Sequence, residues 1–111
     1  VIDNFSLSIQ QKYAIQFMFT ALNEHRQTGN QVRMDGIYKE IEQAYRQMED
    51  WPRLIQTYQN HLSIKKMIKD HQGQLEILDH LGKLQYDQGD AAGSKQSYEE
   101  SMAIKNQIGE I

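Results

Sequence analysis

Four histidines, His25, His61, His71 and His80, are the first side chains to test for metal chemistry. A helix offers two imidazoles to one ion when they stand one turn apart, as in H-E-x-x-H, where the intervening glutamate also supplies a base. No two of these histidines have that spacing, so they read as surface or boundary imidazoles. Glu99 and Glu100 are neighbours, and a helix points neighbours about 100° apart, which makes them a solvated face rather than an acid/base pair. The chain has no cysteine, hence no thiolate nucleophile, disulfide or cysteine-based zinc site. There is no G-x-S-x-G elbow and no phosphate-cradling glycine loop. These residues predict no enzyme, no metal and no cofactor.

The run Lys65-Lys66-Met67-Ile68-Lys69 could touch phosphate, but its place at the end of a predicted helix suits the helix dipole better. The formal net charge of -3 gives no basic field, so nucleic acid is not expected as a partner. Apolar residues are 39% and charged residues 24% of the 111-residue chain, and there is one proline, as in one folded, helix-rich domain. The most apolar stretch, Tyr13 to Leu22, is about half the length that a spanning helix needs. With no membrane span and no signal peptide to be read, the expected location is the cytoplasm.

The elements that carry these residues repeat. At an offset of 40, Asp50 falls on Asp90, Gln56 on Gln96, Tyr58 on Tyr98, Ile64 on Ile104, Lys65 on Lys105 and Ile68 on Ile108. Such a period marks a stack of units, each unable to bury its apolar face alone. Within a unit the spacing is helical: Met34, Tyr38, Ile41, Tyr45 and Met48 recur at three- and four-residue steps, as do Leu75, Leu78 and Leu81. Gly29-Asn30 and Gly89-Asp90 each place a left-handed residue before a capping side chain, and Asp50-Trp51-Pro52 puts an acid cap before a first-turn proline. The pattern predicts an all-α chain of five helices, at about 8–28, 32–48, 51–69, 73–88 and 91–109.

The run His80-Leu81-Gly82-Lys83-Leu84, Tyr86, the Gln88-Gly89-Asp90 turn and the helix from Tyr98 to Ile104 resemble the tetratricopeptide repeat, in its variant of roughly 40-residue period. The resemblance implies one domain over 1–111: residues 12–30 as the second helix of a partial repeat, then full repeats at 31–70 and 71–110. It implies antiparallel helix pairs stacked as an α-solenoid, with a protein or peptide partner held in the concave groove. Gly82 would let the helices of a pair approach closely, Tyr58 and Tyr98 would fill the space between repeats, and small Ser101 would permit the next contact. The chain departs from the pattern at Glu42, which stands where Gly82 does, at His61 for Ser101, and at the turn residue Glu49 for glycine.

By the same resemblance, first helices line the groove, which exposes Lys39, Gln43 and Arg46 from one repeat and Glu76, Asp79, Lys83 and Tyr86 from the next. Lys39 and Gln43 echo only the first turn of the clamp that grips chaperone C-termini. An ordinary solvated face is the competing account of all seven residues. Tyr13, Phe17, Met18 and Phe19 form a second candidate face, because three consecutive large residues span about 200° of a helix, more than one neighbour covers. Residues 1–8 folding back, a longer stack, or a homodimer through this helix would each cover the excess. The sequence therefore predicts a protein-binding scaffold, with an architectural or oligomerisation segment as the alternative.

Overall fold

Every twenty residues the backbone turns left-handed, at Gly29 (φ 72°), Glu49 (φ 57°), Lys69 (φ 57°), Gly89 (φ 87°) and Gly109 (φ 77°). In the computed structural model, which describes residues 4–109 and side chains from residue 9, these turns punctuate five helices. They are α1 (Asn4–Thr28), α2 (Gln31–Gln47), α3 (Trp51–Met67), α4 (His71–Asp87) and α5 (Ala91–Gln107). No strand occurs among the described residues.

The four turns that join helices are built alike. The amide after each left-handed residue reaches back five residues, from Asn30 to His25 O (2.8 Å), Asp50 to Tyr45 O (3.0 Å), Asp70 to Lys65 O (3.0 Å) and Asp90 to Gln85 O (2.8 Å). This Schellman closure satisfies carbonyls that the ending helix leaves without partners. The donor residue then caps the next helix with its side chain. Asn30, Asp50, Asp70 and Asp90 accept from the amides of Arg33 (3.2 Å), Arg53 (3.3 Å), Gly73 (2.9 Å) and Gly93 (2.9 Å). The 40-residue period is thus two helix-plus-turn units, with α2 to α5 each 17 residues long.

Glu49 and Lys69 occupy turn positions where the β-carbon disfavours a left-handed backbone. Replacing either by glycine raises stability by up to about 1 kcal/mol, read as a higher denaturant midpoint at unchanged m-value. Lys69 lies beyond α3, so the expected helical lysine cluster keeps only Lys65 and Lys66 in the helix. α1 begins at Asn4 rather than near residue 8. The helical backbone at Phe5 and Leu7 continues α1 instead of folding back over it, and Val1 and Ile2 lie outside the described residues.

By its contacts the chain divides into two units, Val1–Leu54 and Ile55–Ile111, with the boundary inside α3. In the first, α1 and α2 form a helix pair. Its buried side chains include Ile15 and Leu22 on α1 and Met34, Tyr38, Ile41 and Tyr45 on α2, the latter four at the positions the helical period predicts. Arg26 donates to the Tyr38 hydroxyl across the pair (3.4 Å).

In the second unit, α4 and α5 form a pair of close approach. Ser94 Oγ donates to Gly82 O at 2.7 Å, a contact that small residues on both helices permit. A β-carbon on Gly82 would stand 3.0 Å from the Tyr98 ring, so Gly82 leaves room for that side chain. The buried Gln85 amide donates to Gly93 O (3.0 Å) and Ser97 Oγ (2.6 Å), tying the helices together further along. On the α3 side of α4, the Tyr58 and His80 rings stack at a centroid distance of 6.0 Å and an interplanar angle of 9°. Tyr58 is buried against α4, whereas Tyr98 lies over Gly82 of its own pair and stays 41% exposed.

Candidate partner-binding faces

Lys39, Gln43 and Arg46 follow one another by four and three residues on α2, which places them on one side of it, opposite the fully buried Ile41. All three are exposed. Val32, 75% exposed, belongs to the same side, and polarity-based reading missed it because a lone valine carries no partner signal.

On α4, Glu76, Asp79, Lys83 and Tyr86 line the side opposite buried Ile77, Leu81 and Leu84, and all four are exposed. They occupy the registers of the α2 set shifted by 40: Asp79 stands where Lys39 does, Lys83 where Gln43 does and Tyr86 where Arg46 does. The two helices present equivalent positions with different charge, basic on α2 and acid-rich at the start of α4. Beside the α4 face lies a shallow cleft of about 220 Å³, lined by Gln72, Leu75, Glu76, Asp79, Ser101 and Lys105.

The α1 residues split between two surroundings. Phe17 is 77% and Tyr13 69% exposed, and with Ile9 they form an apolar stripe one turn apart on the side away from buried Ile15 and Leu22. Phe19 is 42% exposed, and Met18 is half-buried. A depression of about 290 Å³ bordered by Ile9, Lys12, Tyr13 and Gln16 adjoins the stripe.

A second cleft in the first unit, about 240 Å³, is lined by Lys12, Ile15, Gln16, Tyr45, Met48, Asp50 and Arg53. Arg53 bridges to Asp50 at 2.6 Å, and that hydrogen bond raises the guanidinium pKa above its ordinary value. Burial pushes the Tyr45 hydroxyl above its ordinary pKa, with Arg53 working against the shift and Asp50 adding to it. This arrangement is a capped helix start.

The histidines separate more than their spacing suggests. His61 is 1% exposed and belongs to the core, which corrects its assignment to the surface or boundary. His25 and His71 are half-buried, and His80 is exposed against Tyr58. Among the described residues no three histidine or acidic side chains converge on a point where a metal ion could sit. Of the adjacent glutamates, Glu100 is bridged by Lys66 at 2.7 Å, a contact that ties α3 to α5, while Glu99 is exposed.

The class these features define is an all-α protein of packed helix pairs, in which no described helix is long and apolar enough to cross a membrane. No protein-family model, curated protein or solved structure matches the chain.

Proposed function

We propose that the chain is a protein-interaction module of tetratricopeptide type that holds a protein or peptide partner in a cytoplasmic assembly or regulatory complex. The observation that carries the reading is the outer side of α4. Glu76, Asp79, Lys83 and Tyr86 run along it, all exposed, and Tyr86 leaves 69% of its surface in water. An exposed tyrosine is of a residue type enriched in binding hot spots, and charges of both signs beside it suit the polar rim of an interface. Lys39, Gln43 and Arg46 on α2 supply the second set. The close Gly82 contact and the stacked Tyr58 support the likeness to tetratricopeptide pairs. The reading assigns the chain no catalysis and no cofactor.

The exposed Tyr13 and Phe17 favour one other reading, an architectural or oligomerisation segment that pairs through α1 as a homodimer. The two are separated by changing Lys39, Lys83 and Tyr86 together to alanine and comparing the proteins recovered on the immobilised chain. The interaction reading expects specific proteins captured by the wild type to be lost from the variant. Unchanged recovery, together with a dimer in light scattering that Phe17→Glu dissociates, would leave the architectural reading in its place.

A further inference from the structure

A polar register that closes on itself in the second unit stays open in the first. On α4, the Gln85 amide is taken up by Gly93 O and Ser97 Oγ of α5. Forty residues earlier, Tyr45 of α2 stands at the register of Gln85, and Arg53 of α3 at that of Gly93. Tyr45 is 7% exposed, and its hydroxyl has no hydrogen-bond partner among the described residues. Its side chain lines the 240 Å³ cleft of the first unit, where a ligand could reach it.

That cleft is rich in donors. Burial keeps the proton on the Tyr45 hydroxyl, so at neutral pH it can give a hydrogen bond. Lys12, on α1, is exposed and has no carboxylate partner among the described residues. Arg53 gives one nitrogen to Asp50 at 2.6 Å, while its side chain is 67% exposed and its guanidinium carries five N–H groups. Asp50 is already engaged, by that nitrogen and by the Arg53 amide at 3.3 Å. Two cations against one carboxylate suit a ligand with a single negative charge, and an acceptor-only head suits three donors. Ile15, 6% exposed, and half-buried Met48 add an apolar wall.

We propose that this cleft binds a small organic monocarboxylate with a short apolar body, its head on Tyr45, Lys12 and Arg53 and its body on Ile15 and Met48. It is a small-molecule site of the first unit, and it stands or falls independently of the protein-binding reading.

Isovalerate, its uncharged amide isovaleramide and inorganic phosphate test it, each titrated into the isotope-labelled full chain at neutral pH and constant ionic strength. Isovalerate shifts the Ile15 and Met48 methyl and Tyr45 ring resonances along a saturable curve, with a Kd on the order of 1 mM. Isovaleramide, which lacks the charge, and phosphate, which lacks the apolar body and brings a second charge towards Asp50, bind at least about tenfold more weakly. Tyr45→Phe weakens isovalerate about tenfold, the loss of one hydrogen bond to a charged group. Its melting temperature without ligand stays at that of the wild type, because no hydrogen bond within the protein is lost. Lys12→Gln, at an exposed position, weakens isovalerate about threefold. No saturable shift, isovaleramide or phosphate binding as tightly as isovalerate, or wild-type affinity in Tyr45→Phe would overturn the proposal. So would a Tyr45→Phe protein that melts well below the wild type, since the hydroxyl would then have its partner within the fold.

Discussion

Replacing Leu78 by alanine lowers the stability of the chain by about 2–5 kcal/mol, the range seen when a buried leucine is cut back and its cavity only partly collapses. Leu78 is fully buried on α4, the helix of the second unit that meets α3 on one side and α5 on the other. Alanine is the stronger helix former, so the loss comes from packing and not from backbone preference. A domain of this size is stable by only about 5–15 kcal/mol, and thermal unfolding should fall by roughly 10 °C or more. Tyr86→Ala, on the same helix but 69% exposed, should stay within about 0.5 kcal/mol of the wild type. Circular dichroism melts of the two variants side by side test the packing of the pair, and equal melting temperatures would contradict it.

The second large effect is at the joint between α3 and α4. Asp70 caps α4 through the Gly73 amide (2.9 Å) with one oxygen and takes the Lys65 ammonium (2.9 Å) with the other. The Lys65 side chain is only 7% exposed, whereas that of Asp70 is 39% exposed. Asp70→Ala removes a cap worth about 1 kcal/mol and takes a carboxylate away from a buried ammonium. Because Asp70 is well solvated, the attraction is partly screened, and the combined loss is set at about 2–3 kcal/mol rather than the full cost of breaking a buried pair. Asp70→Ser with Lys65→Met keeps a cap and removes both charges. That double variant should recover most of the loss in urea denaturation. If it stays as unstable as Asp70→Ala, the ion pair is not the source.

Helix number and turn positions were readable because they are local. Asn30, Asp50, Asp70 and Asp90 are good caps wherever a helix starts, and Met34, Tyr38, Ile41 and Tyr45 keep a helical period that one buried side explains. The twenty-residue unit was hidden behind the forty-residue one, because glycine marks the turns at 29 and 89 while Glu49 and Lys69 take the same left-handed conformation without its signal.

Side chains whose state is set from across the fold were not readable. Lys65 looks like a solvated helix-end cation until Gly73 and Asp70, more than a turn further along the chain, provide a passage and a partner. His61 is polar by type and buried by position. The sets on α2 and α4 were named from the resemblance to tetratricopeptide repeats; both are exposed, but which partner they would suit is a property of that partner too.

The central claim is that the outer side of α4 holds another protein, and site-resolved cross-linking tests it most directly. A photoreactive phenylalanine analogue placed at Tyr86 samples that side, and the same group at Gln96, exposed on the outer side of α5, samples another. Irradiated with the native cell lysate, the Tyr86 protein should give discrete protein adducts, lost on adding Lys39→Ala with Lys83→Ala, and the Gln96 protein should give none of them. No adduct at position 86, or the same adducts from both positions, would contradict the account.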